Sequence, residues 1–155
     1  MTVVVAGIGK VFRRDDGVGP LVAARAAMRT MVGRDIGPLE DPLDLVGRWD
    51  WADLAIIVDA VRSGRPPGCV YEIELSGDDD GLSAANRATS THGIGLMGAW
   101  RMALAVGAPP ARVVVVGIEG ADFQWGAGLS PAVAAAVPGA VSRVVELIQE
   151  ASLCA

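Results

Sequence analysis

The stretch VVVAGIGKVFRRDDGVG, residues 3–19, decides how the chain is read. Its first part, VVVAGI at 3–8, is a short continuous apolar run that gives way to glycine, the pattern of a β-strand covered on both faces. Two later segments look alike: LAIIVDAV at 54–61 and RVVVVGI at 112–118. Helical patterns lie between them. The segment from Asp15 to Val32 opens on acidic residues and places Pro20 early, as helix starts tolerate. STHGIGLMGAWRMALAVG at 90–107 opens on Ser/Thr caps and closes on Gly107. A last helix is expected over 130–151, starting at Ser130-Pro131 and bending at Pro138. CVYEIEL at 69–75 alternates, which reads as a half-exposed strand at an edge. Within 34–50 a short strand is expected at Ile36–Leu39, then a helix from Pro42. SGDDDGL at 76–82 and GADFQWGAGL at 120–129 read as loops.

Strands alternating with helices predict an α/β fold: a single three-layer domain over 1–155, with a mostly parallel twisted sheet of about five strands and helices on both faces. With 155 residues, 52% apolar and 20% charged, the chain is expected to be compact. A chain of this length buries roughly 70% of its unfolded surface. The opening apolar run is too short to span a bilayer and has no basic segment ahead of it, so a soluble, unexported protein is expected. A net charge of −5 without a dense basic tract argues against nucleic acid as a partner. The two cysteines, Cys69 and Cys154, are far apart, which fits neither a disulfide framework nor a zinc cluster and points to the cytoplasm.

In open α/β sheets, ligands bind beyond the carboxyl ends of the strands. That rule selects Asp15 and Asp16 after the first strand, Asp59 near the end of the middle strand, Glu119 at the end of the late strand, and His92 at a helix start. A nucleotide loop would need G-x-G-x-x-G, but the third glycine position holds Phe12 and phosphate would meet two aspartates. Lys10, Arg13 and Arg14 soften that objection without removing it. Each candidate also has a plain structural reading. Asp15 or Asp16 would cap the first helix, Asp59 a turn, and Glu119 would pair with an arginine, while a lone histidine at a helix start is commonly a hydrogen-bonded structural residue. Taken together, two carboxylates and an imidazole suit a divalent transition ion with positions left for water or substrate. No H-E-x-x-H motif and no G-x-S-x-G elbow accompany them.

These residues resemble the hydrogenase maturation proteases, endopeptidases that trim the large subunit of nickel–iron hydrogenases. Their opening pattern, G-x-G-N, four residues, then D-[D/E]-G-x-G, is similar to GIGKVFRRDDGVG at 7–19. VDAVRSGRPPG at 58–68, STHGIGL at 90–96 and GIEGADFQWGAGLSPAV at 117–133 resemble the patterns that follow, in order, from about residue 3 to 150. The resemblance implies that Asp16, Asp59 and His92 bind metal and serve catalysis. The metal is nickel carried by the substrate, a hydrogenase large-subunit precursor whose C-terminal extension is removed. It leaves aspartic-type and metal-assisted cleavage both open, and implies no membrane partner and a monomer or weak dimer.

This sequence departs from the family pattern in three places. Asp16 stands where many relatives have glutamate, and Lys10 where asparagine is usual. The D-G-G-T-type loop after the second strand is replaced by LEDPLDLVGRW at 39–49, which leaves any site role for Asp41 or Asp44 open. Two other readings compete with the protease: a module that binds the precursor without cutting it, and an anion or nucleotide binder using Lys10, Arg13, Arg14, Arg62 and Arg65.

Overall fold

The computed structural model describes residues 1–75 and 93–154. Among them, β1 (Val3–Ile8), β2 (Gly33–Asp35), β3 (Leu54–Val61), β4 (Val70–Leu75) and β5 (Val113–Glu119) form one sheet in the order β2-β1-β3-β5-β4. All neighbours are parallel except β4, which runs antiparallel to β5 at the edge. Every residue of β1, β3 and β5 is buried, as their unbroken apolar runs require. β4 alternates between exposed and half-buried positions up to Leu75, as an edge strand does.

The helices divide between the two faces. Strand residues of one parity (Val5, Ile56, Val58, Val116) pack under α1 (Val18–Ala27) and the terminal helix α3 (Pro131–Leu153). The other parity (Ala6, Ile8, Ile57, Val115) packs under α2 (Gly93–Val106) and a 3-10 turn at Pro42–Leu45. Trp49, fully buried, meets Trp100 of α2 edge-to-face at 6.3 Å, which ties the stretch before β3 to this helix. In α3 the buried positions Val133, Val137, Ala140, Val141, Val144 and Ile148 repeat at helical spacing and make one stripe. α3 has the length and hydropathy of a membrane span, but here that stripe faces the sheet.

Several expected boundaries shift. The strand foreseen at Ile36–Leu39 is found at Gly33–Asp35. Leu39 alone rejoins β1, in a bridge to Ile8, because Pro38 has no N–H to continue the ladder. The helix foreseen from Asp15 to Val32 is a 3-10 turn, Arg14–Gly17, followed by α1, and it stops at Ala27. Met28 and Met31 beyond it are solvent-exposed, so no apolar stripe extends the helix. The late strand begins at Val113, one residue later than the apolar run read at 112–118, and ends on Glu119 as expected. The last helix begins at Pro131 as expected and runs unbroken through Pro138 to Leu153. The loop expected at 76–82 lies outside the described residues, as do the Ser/Thr caps before α2.

Candidate active site

Strand order creates the crevice. From β1 the chain moves to β2 on one side, then returns to β3 on the other, so the connections leaving β1 and β3 diverge at a switch point between neighbouring strands. Asp16 follows β1, and Asp59 lies in β3 with Ile8 of β1 as its register partner. Both aspartates are fully buried.

Close backbone packing fixes their relation. A Cβ on Gly19, at the start of α1, would lie 2.5 Å from the Val58 carbonyl oxygen and 2.6 Å from that of Ile8, so only glycine lets the helix settle onto the two strand ends. The turn that carries Asp16 is thereby pressed against the residue preceding Asp59. Gly9, next after Ile8, is so near Asp16 that its Cβ would strike the Asp16 carbonyl and come within 3.4 Å of its carboxyl carbon. The Lys10 amide donates to Asp16 Oδ2 at 2.8 Å. That bond belongs to the main chain, so it does not depend on the side chain at position 10.

The other acidic candidates are structural. Asp15 does not cap α1, whose N-cap is Gly17. Its Oδ2 accepts from the amides of Ala121 and Asp122 and from the Ser130 hydroxyl, and its Oδ1 from the Ser130 amide at 2.7 Å. Burial pushes the Asp15 carboxyl up, but the Ser130, Ala121 and Asp122 amides with the Ser130 hydroxyl outweigh it and hold the group below its ordinary value. Asp15 therefore clamps the loop after β5 onto the turn that presents Asp16. Among the described residues, Glu119 pairs with no arginine. It accepts from the amides of Ser63 and Gly64 and from the Ser63 hydroxyl at 2.7 Å, pinning the turn after β3. Asp41 caps the 3-10 turn through the Leu43 amide, and Asp44 is exposed.

The basic residues at this edge are engaged as well. Arg13 Nε donates to the Phe123 carbonyl, and Arg14 lies 3.3 Å from Asp122. Arg62 covers the Phe123 ring at 4.6 Å, and Arg65 the Tyr71 ring at 4.3 Å. Four of the five basic residues that an anion binder would use are thus held by a carbonyl, a carboxylate or an aromatic ring. Val11, Phe12 and Trp125 stand exposed on the loops after β1 and β5, which are zipped together where the Gly126 amide donates to the Phe12 carbonyl.

His92 lies outside the described residues. The helix that follows it, α2, ends at the opposite edge of the sheet: past Gly107, the Ala111 amide bonds to the Ala52 carbonyl ahead of β3. Fourteen helical residues rise about 21 Å, close to the length of β3, so α2 begins at the edge where Asp59 sits. Among the described residues, no three His, Cys, Asp or Glu side chains form a metal-binding group.

The sequence profile of the family described as hydrogenase maturation protease matches residues 40–147. The chain belongs to this family. It is thus one of the hydrogenase maturation proteases, which are peptidases, and it shares the fold of solved members. HybD from E. coli, a hydrogenase maturating endopeptidase, superimposes with a TM-score of 0.83 over 97% of this chain and 94% of its own, at 22% identity. A hydrogenase 2 maturation peptidase from Thaumarchaeota archaeon SCGC_AB-539-E09 is 30% identical over 96% of this chain and 98% of its own, with a TM-score of 0.63. The hydrogenase expression/formation protein HupD of Thiocapsa roseopersicina is 22% identical over 152 residues, 96% of this chain and 68% of its own.

Proposed function

We propose that this hydrogenase maturation protease removes the C-terminal extension of a nickel-loaded hydrogenase large-subunit precursor, with Asp16, Asp59 and His92 gathering around the nickel the precursor carries. One observation carries the reading: two buried carboxylates, Asp16 in the turn after β1 and Asp59 near the end of β3, lie at the switch point of the sheet, where ligands of this fold class bind. Burying carboxylates costs several kcal/mol each unless charge or hydrogen bonds compensate, and a divalent cation compensates best. Holding the metal seats the scissile peptide, so cleavage becomes conditional on nickel loading. Hydrolysis adds water across the amide: its oxygen bonds to the carbonyl carbon, the C–N bond breaks, and the departing amine takes a proton. The ion acts by polarising that carbonyl or acidifying the water; alternatively, one carboxylate takes the water's proton.

The exposed Val11, Phe12 and Trp125 beside the crevice support a protein substrate, since apolar surface at a site rim is what a macromolecular partner covers. The free thiols Cys69 and Cys154 fit a cytoplasmic setting, and the chain is proposed to act as a monomer or weak dimer. Incubating the protein with nickel-loaded precursor and following precursor mass tests the reading. Loss of the extension is expected; a stable complex of unchanged mass would make the protein a binding module instead.

A further inference from the structure

Two local irregularities adjoin Asp59 in the same row of the sheet. Ile8, Asp59, Gly117 and Tyr71 are successive register partners across β1, β3, β5 and β4, so their side-chain positions share one face. Gly117 is a glycine inside a strand that is paired on both sides, where glycine weakens the strand and signals that something approaches closely. What approaches is Tyr71. A Cβ at Gly117 would lie 3.0 Å from Tyr71 Cζ, 3.1 Å from Cε2 and 3.2 Å from Val61 Cγ1, so the phenol tip lies across β5 toward the strand that carries Asp59.

The second irregularity is the hydroxyl at that tip, which is buried and makes no hydrogen bond of good geometry. Ser63 is near enough to influence it, and its hydroxyl, which donates to Glu119, keeps lone pairs open, yet no bond of good geometry forms between the two. Glu119 is turned to two amides and that hydroxyl and makes no bond to the phenol, and Arg65, stacked on the ring, has no acceptor to offer. Burial raises the phenol's pKa, and Glu119 and Asp59 add to the rise against Ser63 and Arg65, so the hydroxyl is a neutral donor across the physiological range. An unpaired buried hydroxyl costs stability, and a phenylalanine ring would cover Gly117 as well without that cost.

Resting on the proposed function, we infer that Tyr71 is a positioning residue of the site, its phenol donating to the Asp59 carboxylate and orienting it once the precursor is seated. A carboxylate has about four lone-pair sites, so it takes this donor alongside its other partners. Fold and reaction then make opposite demands on one oxygen atom.

The test is Tyr71→Phe in the full-length protein, with Asp59→Asn beside it, measuring precursor processing and thermal midpoint. Tyr71→Phe should lower kcat by about 10-fold or more, the usual effect of removing a group that orients a metal-binding side chain, with KM for nickel-loaded precursor unchanged and a midpoint equal to or above that of the parent. Wild-type processing by Tyr71→Phe while Asp59→Asn is inactive overturns this inference alone, leaving Tyr71 as a cover for Gly117. A fall in midpoint matching the fall in activity overturns it too, by making the role structural. If Asp59→Asn itself processes normally, the underlying reading of the site fails and this one fails with it.

Discussion

At the scale of single residues, two neighbours in sequence have opposite jobs. Asp16 accepts from the Lys10 amide in the turn after β1 and is the one proposed to meet the metal, whereas Asp15 is locked into the loop at 121–130. Asp16→Asn and Asp59→Asn should each slow processing by at least about 100-fold, as loss of a group handling metal or proton does, with thermal midpoints little changed. Asp59→Asn is expected to gain some stability without precursor, because it removes a buried charge. Asp15→Ala should behave the other way. It strands four donors and costs on the order of 3 kcal/mol, about 6–12 °C in midpoint for a chain of this length. The sign of the pH effect follows from the lowered pKa. The Asp15 carboxylate stabilises the fold above its unfolded value of 3.8, and that contribution disappears as pH falls through the lower folded value. Urea unfolding from pH 6 down to 2 should therefore show a steeper acid loss for the parent than for Asp15→Asn. Composition could nominate both aspartates but not divide them, since the division is made by Ser130 and Ala121, more than a hundred positions along the chain.

Among the elements, the apolar runs were the most legible. VVVAGI and LAIIVDAV are β1 and β3 to the residue, because a strand buried on both faces has no alternative pattern to offer. β2 was less legible: it has only three residues, Pro38 beyond it prevents a longer ladder, and its side chains carry no alternation. The close seating of α1 was also invisible, as nothing marks Gly19 as a point of close approach until Val58 and Ile8 are beside it. Gly19→Ala would have to lift the helix off two carbonyl oxygens, at a cost of roughly 1–3 kcal/mol or more from overpacking. A lowered urea midpoint together with reduced processing is expected. Unchanged stability would mean that the approach of α1 to the strand ends does not hold the Asp16 turn in place.

For the molecule as a whole, α2 and α3 lie on opposite faces of the sheet, and the edge where β1 and β3 end gathers residues 16 and 59 with the start of α2. The crossovers dictate this gathering, so sequence separation is no guide to it. The account stands on these two carboxylates and His92 acting together on nickel that arrives with the precursor. The most direct measurement is the mass of purified precursor, loaded with nickel or metal-free, after incubation with the parent protein or with Asp16→Asn, Asp59→Asn or His92→Ala. Release of the C-terminal peptide is predicted only from loaded precursor and only with the parent. Equal cutting of metal-free precursor, or full cutting by His92→Ala, would contradict the account.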